Sequence, residues 1–227
     1  MSCAICEVRK EKRFCPAAEG RICAQCCGEQ REVTLDCPTD CPYLQQAREH
    51  EKPREANAID RGAMFAEVEI GEQFLYEHEQ LILGLSYALA KAARSGHSLE
   101  SGSGRGWLAD RDLIEALSAL GQSYRTRVES NLIYEHATAN LAHQQIAREV
   151  ETMVKEFREA EQKHLGYSRL RDSEVLKALV FLLRMGLTRT SGRPKSRAFV
   201  DFLSAQFPEK SPGIVSAEAP GSRIIVP

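Results

Sequence analysis

The sequence predicts an all-α protein, in which a long antiparallel helical hairpin and C-terminal helices follow a small cysteine-rich module that binds two zinc ions. Two observations lead to this prediction. All eight cysteines of the 227-residue chain lie between Cys3 and Cys41. Downstream of them, apolar residues recur every three or four positions, which is the period of an amphipathic helix. The predicted regions are a zinc module at 1–44, a linker and hairpin at 45–165, C-terminal helices at 166–207 and a disordered tail at 208–227.

The cysteines include two Cys-x-x-Cys pairs, Cys3/Cys6 and Cys23/Cys26. Two intervening residues let one tight turn present both sulfurs to a single tetrahedral ion. Keeping both pairs intact divides the eight cysteines into two cross-braced sets of four. The first cysteine set is Cys3, Cys6, Cys23 and Cys26, and the second cysteine set is Cys15, Cys27, Cys37 and Cys41. A sequential division, which begins with Cys3, Cys6, Cys15 and Cys23, splits the second pair and remains the alternative.

The composition of the module indicates that metal, rather than apolar burial, folds it. Residues 1–44 contain few apolar side chains besides the cysteines, too few to stabilise so small a segment. We therefore expect metal to supply the folding free energy and the metal-free module to be largely unfolded. Zinc that is held by four cysteines is closed to substrate, which favours a structural role. An iron–sulfur cluster or a redox-active pair is less favoured, because neither a ferredoxin spacing nor a βαβ pattern is present.

The cysteine pattern of residues 3–41 resembles the cross-braced zinc fingers of the MYND and HIT type. The matching elements are Cys3-x2-Cys6, Cys23-x2-Cys26 and the closing Cys37-x3-Cys41. The pattern departs in its second ligand pair, where Cys15 stands alone and Cys27 completes the set. The resemblance implies a module that docks a protein partner.

Two long helices are predicted for the hairpin. Apolar and small residues recur in alternating steps of four and three, which predicts a helix from about Ala56 to near Gly96. Residues 96–106 hold four glycines and three serines and predict a flexible loop. A second helix is expected from a cap at Asp110 to beyond Phe157. Such a hairpin leaves apolar surface exposed, so it needs the C-terminal helices or a second copy in a homodimer.

The hairpin also carries histidines next to glutamates, but not at a metal-binding spacing. Tyr-Glu-His occurs at 76–78 and at 134–136. A di-iron bundle needs Glu-x-x-His within a helix, and neither His78 nor His136 has a glutamate three residues before it. We expect ordinary hydrogen bonds for both, and a surface position for His143.

The C-terminal region predicts two further helices with wide apolar faces. Gly166 is predicted to end the hairpin. The first of the two helices is predicted to start at Asp172 or Ser173 and to end at Gly186. The second is predicted to start at Ser196 and to end at Pro208. The predicted buried residues are Val175, Leu176, Leu179, Val180, Leu182 and Leu183, followed by Phe199, Val200, Phe202, Leu203 and Phe207.

A basic segment connects these two helices. It consists of Arg184, Arg189, Arg193, Lys195 and Arg197, without an acidic residue between 184 and 197. Such a segment can contact phosphates. The hairpin region 55–165 carries a net charge of −7, whereas residues 166–227 carry +5. We therefore expect the basic segment to pair with the acidic hairpin or with solvent.

The sequence favours a non-enzymatic zinc-binding scaffold or adaptor whose module docks a protein partner. The alternative is a nucleic-acid-associated regulator that uses the basic segments 9–13 and 184–197, although the net charge of −2 gives it no overall support. An enzyme is not expected, because no Gly-rich phosphate loop and no nucleophile motif are present. Without a signal-peptide pattern or a membrane-length apolar stretch, a cytoplasmic protein is expected, where reduced cysteines favour metal over disulfides.

Overall fold

A computed structural model describes residues 1–50, 64–95, 108–130 and 139–208. This part of the chain is mostly helical, with eight α-helices and one two-stranded sheet, and the cysteine-rich segment precedes the long helices. The predicted all-α class with an N-terminal cysteine-rich module is thereby confirmed. Within the same ranges, no helix combines the length and the apolar character that crossing a membrane requires. The predicted loop at 96–106, the predicted tail beyond Pro208, and His136 lie outside the described residues.

The cysteine module combines a short β-hairpin with two helices. Its elements are β1 (Arg13–Cys15), β2 (Gly20–Ile22), α1 (Ala24–Gln30) and α2 (Pro42–His50). The strands are antiparallel, with Cys15 opposite Gly20. The segment after residue 44, predicted as a linker, is helical as far as His50, and Leu44, which precedes it on α2, is 1% exposed.

The helical body follows the module. In the described residues its helices are α3 (Glu72–Glu77), α4 (Glu79–Ser95), α5 (Asp110–Ser130), α6 (Leu141–Leu165), α7 (Asp172–Arg189) and α8 (Ala198–Gln206). Helix α5 packs mainly against α7, α4 packs mainly against α6, and α8 contacts α4, α5 and α7. Their inner faces form one apolar core that is rich in leucine, such as Leu85, Leu117 and Leu179.

Helices α4 and α6 form a long antiparallel pair in this body. Lys91 Nζ lies 2.8 Å from a carboxylate oxygen of Glu149, and Gly84 faces Met153 further along the pair. The second predicted helix is divided, because Asn140 has extended backbone and its side chain accepts the N–H of the second residue of α6 at 2.9 Å. The apolar period continues across this break, which is why the sequence pattern does not show it.

The first predicted helix starts later than its repeat indicates. Residues 64–70 are not helical, and Gly71 is the N-cap of α3. His78 then interrupts the helix between α3 and α4. The predicted start at Ala56 lies outside the described residues. In the described part, the seven-residue repeat therefore does not lie on one continuous helix.

The non-helical residues 64–70 are held against the body by Phe65 and Arg184. Phe65 is 2% exposed and has a left-handed φ of 50°, which is uncommon for a bulky side chain. Its ring fills the space beside Gly121, where an added Cβ would lie 2.9 Å from the ring. The guanidinium of Arg184 donates to the carbonyl oxygens of Met64, Phe65 and Val68 at 2.6–3.0 Å. These contacts fix the segment by packing and backbone hydrogen bonding.

The C-terminal helices lie in the predicted regions, but one predicted helix end is wrong, and Phe202 and Phe207, predicted as buried, are only half-buried. Gly166 ends α6 with a left-handed φ of 82°, and α7 starts at Asp172. Gly186 does not end α7, which continues to Arg189. An added Cβ at Gly186 would lie 3.0 Å from the ring of Phe199. The glycine therefore permits close approach of α8 rather than termination of α7.

Asp110 caps a different helix from the one predicted. Its Oδ1 accepts the backbone N–H groups of Phe199 and Val200 at 2.9 and 3.0 Å, and its Oδ2 accepts the hydroxyl of Ser196 at 2.7 Å. The carboxylate thus covers the start of α8, the role predicted for Ser196. At the start of α5, the side chain of Asp112 accepts a backbone N–H at 2.8 Å instead.

Candidate metal centre

The first cysteine set converges on one point of the module. Its four sulfur atoms all lie within 4.8 Å of one another. Cys3, Cys23 and Cys26 are 0–4% exposed, and Cys6 is half-buried. Because a zinc–sulfur bond is about 2.3 Å long, a tetrahedral ion holds its sulfurs about 3.8 Å apart. The four cysteines that the cross-braced division assigns to one ion are therefore close enough to share it.

A tight turn places Cys3 and Cys6 on the same side of the chain. The N–H of Glu7 donates to the carbonyl oxygen of Cys3 at 2.8 Å, and Glu7 has a left-handed φ of 56°. The N–H of Cys3 donates to the carbonyl oxygen of Arg9 at 2.8 Å, so the chain returns immediately after the turn. Two residues between the cysteines are therefore enough for the turn that brings both side chains to one side.

The start of α1 positions the other pair. Cys23 is the N-cap of α1, and its sulfur accepts the N–H of Cys26 at 3.4 Å. The sulfur of Cys3 accepts the N–H of Cys23 at 3.2 Å. The guanidinium of Arg9 lies 3.9 Å from the sulfurs of both Cys23 and Cys26. These donors stabilise negative charge on sulfur, which is the form that binds metal.

The thiol pKa values within the first cysteine set are driven apart. Burial opposes ionisation of Cys3, but hydrogen bonds from the backbone of Cys6, Cys23 and Ile5 outweigh it and lower the pKa of Cys3 to about 6. Burial raises the pKa of Cys26 to about 12, and the neighbouring thiols raise it too. Four thiolates at this spacing repel one another unless a cation lies between them. The chemistry of the set therefore fits a divalent metal ion.

The second cysteine set lines a single pocket. Cys15 ends β1, Cys27 lies on α1, and Cys37 and Cys41 lie in the segment before α2. The guanidinium of Arg13 lies 3.6 Å from the sulfur of Cys27. Across the described residues, only the first cysteine set brings three or more ligand atoms within 4.8 Å of one another. The four cysteines of the second set thus share a pocket, but their sulfur atoms are more widely spaced than those of the first cysteine set.

The adjacent residues Cys26 and Cys27 explain how one short helix serves both sets. Neighbouring residues on an α-helix point about 100° apart around its axis. Cys26 accordingly joins the first cysteine set, whereas Cys27 faces the pocket of the second. The sequential division would require Cys15 in the first set, but Cys15 lies in the pocket with Cys27.

The basic segment, which begins on α7 and ends at the start of α8, is engaged within the chain. Its five members are Arg184, Arg189, Arg193, Lys195 and Arg197. Arg184 donates to carbonyl oxygens within residues 64–68, as described above. Arg189 lies over the ring of Phe202, with 3.5 Å between the guanidinium carbon and the ring centre. Arg193 donates to the carbonyl oxygens of Gly28 and Arg31 at 3.0 and 2.7 Å.

The last two members of the segment also have partners in the chain. The ammonium of Lys195 donates to the carbonyl oxygen of Thr34 and to the carboxylate of Asp36, both at 2.9 Å. Arg197 lies 3.9 Å from Asp201, one turn later on α8. The segment was expected to pair with the acidic hairpin or with solvent. The structure instead places Arg193 and Lys195 against the cysteine module.

The histidines of the helical body do not form a metal cluster in the described residues. His143, predicted on the surface, is only 6% exposed, and its Nε2 lies 3.7 Å from Asp112 and 3.6 Å from Glu115. His78 lies 3.6 Å from Glu174. The burial of His143 follows from the packing of α6 against α5, which the sequence period does not specify.

Glu32 and Arg48 were not identified from the sequence. Glu32 is 2% exposed and has a left-handed φ of 53°. Arg48 on α2 lies 2.9 Å from Glu32 and 2.7 Å from Asp201. Both residues lie in polar stretches and resemble ordinary surface charges, and Asp201 is 153 positions away from Arg48. No local signal in the sequence reveals such a contact.

No protein-family model, curated protein or solved structure matches this chain. The likeness to cross-braced zinc fingers therefore remains one of cysteine spacing. The function has to be inferred from the chemistry of the cysteine sets and their surroundings.

Proposed function

We propose that this chain is a non-enzymatic zinc-binding scaffold or adaptor whose N-terminal module docks a protein partner. The observation that carries the proposal is the first cysteine set, with four sulfurs within 4.8 Å of one another. Four sulfurs in tetrahedral arrangement are typical of zinc or of an iron–sulfur centre, and the Cys-x-x-Cys spacing favours zinc. Because cysteines take all four positions, no position is left for a substrate.

The second cysteine set supports a second zinc ion in the same module. Cys15, Cys27, Cys37 and Cys41 share one pocket, and together they offer four further thiolates. The buried cluster of the module otherwise contains one large apolar side chain, Ile22. Two metal ions would supply the folding free energy that so small a core lacks.

Exposed apolar side chains on the module support a protein partner. Val8 is 87% exposed at the turn that follows Cys6, and Phe14 is 57% exposed on β1. Neither side chain belongs to the buried cluster of the module, although Phe14 also lines the pocket of the second cysteine set. Aromatic side chains are enriched at protein interfaces. We therefore assign Val8 and Phe14 to the partner contact.

Native mass spectrometry of protein purified without added metal tests the zinc assignment. We expect two zinc ions per chain. Cys6→Ser and Cys26→Ser affect the same site, so the double variant should retain one ion, as each single variant does. Cys6→Ser combined with Cys37→Ser should retain none. One zinc ion in the wild type, or the visible absorbance of an iron–sulfur cluster, would contradict the assignment.

Affinity capture of the intact chain from its own cells tests the partner contact. The wild type is compared with a Val8→Ser/Phe14→Ser variant and with Val128→Ser, a matched control that is 45% exposed on α5. We expect the module variant to lose its captured protein while keeping both zinc ions. The control should keep the captured protein and both zinc ions. Capture that persists in the module variant would argue against these residues.

The nucleic-acid alternative has less support from the contacts of its two basic segments. Arg193 and Lys195 donate to the cysteine module, and Arg9 lies against the sulfurs of the first cysteine set. We expect duplex binding no tighter than about micromolar at physiological salt. A nanomolar complex, with a salt slope of about −0.9 per phosphate contact, would favour the alternative.

A further inference from the structure

A nine-residue segment of the cysteine module forms hydrogen bonds with the basic turn of the helical body. This docking loop, residues 28–36, consists of the last three residues of α1 and the six residues that follow, and it lies between Cys27 and Cys37. It contacts residues 191–195, the turn between α7 and α8. The interface therefore joins one short loop of the module to one short turn of the body.

Glu32 is the centre of this interface. Its backbone carbonyl accepts the N–H of Lys195 at 2.8 Å. One carboxylate oxygen accepts the hydroxyl of Ser191 at 3.1 Å, and the other lies 2.9 Å from the guanidinium of Arg48. The same guanidinium bonds Asp201 on α8 at 2.7 Å. A buried carboxylate is thus satisfied jointly by the module and by the body, as burial of a charge requires.

The remaining contacts recognise the backbone of the docking loop. Arg193 donates to the carbonyl oxygens of Gly28 and Arg31, and Lys195 donates to that of Thr34. Carbonyl oxygens can meet these donors only when the loop has one particular shape. Docking therefore depends on whatever fixes the conformation of the loop.

The second cysteine set is placed to fix that conformation. Cys27 and Cys37 stand at the two ends of the docking loop, and both line the same pocket. Arg48 lies on α2, which starts directly after Cys41, a third member of the set. No cysteine of the first set lies between residue 28 and Arg48. A metal ion held by the second set would tie both ends of the loop and the start of α2 to one point.

We propose that the second cysteine set is a metal-dependent clasp that fixes the module to the helical body. The inference rests on the second zinc ion of the proposed function. Loss of metal from this set releases the ends of the docking loop, and Glu32 and its neighbouring carbonyl oxygens leave the basic turn. Loss of metal from the first cysteine set leaves the docking loop closed.

Amide hydrogen exchange of the full-length chain tests the clasp. The probe is the N–H of Lys195, which donates to Glu32 across the interface, and an interior amide of α7 at Leu179 serves as the internal reference. In Cys37→Ser we expect exchange at Lys195 to increase about tenfold or more, with unchanged protection at Leu179. In Cys6→Ser, the matched control, we expect protection at both positions.

Two further variants separate the clasp from a general loss of folding. Glu32→Ala should keep both zinc ions and still expose the Lys195 amide. It leaves the backbone carbonyl that accepts this N–H, but it removes the carboxylate contacts with Ser191 and Arg48 that hold the docking loop against the turn. Cys41→Ser should behave as Cys37→Ser, and the Leu179 amide reports whether the body remains folded in each. Protection of Lys195 in both Cys37→Ser and Cys41→Ser, or equal exposure in Cys6→Ser, would overturn the clasp.

The zinc count of the same samples distinguishes a failure of the clasp alone from a failure of the proposed function. Two zinc ions in the wild type, together with a protected Lys195 amide in both second-set variants, would overturn the clasp and leave the proposed function intact. A single zinc ion in the wild type would remove the second site of the proposed function and the clasp with it.

Discussion

Side chains of different kinds fill the interiors of the cysteine module and the helical body. The buried cluster of the module consists of five cysteines and Ile22. The buried cluster of the body contains 27 residues, nearly all leucine, valine, alanine or an aromatic residue. An apolar core stabilises a fold by removing apolar surface from water, whereas a small core made mostly of cysteines requires metal. The two parts of the chain should therefore respond to different perturbations.

Metal removal should have the largest effect, and it should be confined to the module. The free energy of binding structural zinc, about 10–16 kcal/mol in small fingers, is also the free energy that folds them. A chelator should make residues 1–44 protease-sensitive while far-UV circular dichroism changes little. The helicity that is lost should not exceed that of α1 and α2. Global unfolding on chelation would show that the body depends on the module for its stability.

Leu179→Ala should have the converse effect. Leu179 on α7 is 0% exposed in the core of the body, and truncation of a buried leucine costs about 2–5 kcal/mol. Denaturant unfolding followed by the helical signal should show this loss, with an unchanged zinc count by native mass spectrometry. Leu83→Ala on α4, a position that is 40% exposed, is the matched control and should cost less. A fall in zinc content in the Leu179 variant would show that zinc binding by the module depends on the stability of the body.

Asp110→Ala should destabilise the body by about 1–3 kcal/mol, because it leaves buried donors at the start of α8 without an acceptor. The control is Asp112→Ala, which removes a local cap at the start of α5 and a 3.7 Å contact with His143, and should cost about 0.5–2 kcal/mol. Thermal unfolding of both variants measures the difference. Equal losses would mean that the contacts of Asp110 with Phe199 and Val200 add nothing to an ordinary cap.

Lys155→Ala should have the smallest effect. Lys155 and Glu159 form an exposed pair on α6, 3.7 Å apart and 77% and 62% exposed. Exposed pairs of this kind contribute about 0.3–0.5 kcal/mol. The unfolding midpoint and the zinc count should both stay close to those of the wild type. A loss above about 1 kcal/mol would indicate that α6 depends on more than its buried face.

Features with a local cause were predictable from the sequence. Gly166 ends α6 because glycine adopts the left-handed conformation at little cost. The apolar positions of α7, such as Val175 and Leu179, are buried as their period predicted. The turn between Cys3 and Cys6 brings two sulfurs together within four residues. In each case the residues that decide the structure are neighbours in the chain.

Several predictions failed where a distant residue decided the outcome. Gly186 was expected to end a helix, but the approach of Phe199 explains it instead. His143 was expected on the surface, but the contact of α6 with α5 buries it. The second predicted helix was expected to continue through Asn140, but the chain leaves the helix there, and in this case the cause is a local cap. Helical periodicity identifies an apolar face without identifying the element that covers it.

The sequence by itself determined that a cysteine-rich module precedes a helical body, because cysteine spacing and helical period are properties of neighbouring residues. Only the tertiary structure decided which charges meet. Glu32, Arg48 and Asp201 come together from three separate elements, and the basic turn at Arg193 contacts the module instead of the acidic hairpin. The physical reason is that a charged side chain carries no preference for one distant partner of opposite sign. The packing of the backbone selects the partner and excludes water from the pair.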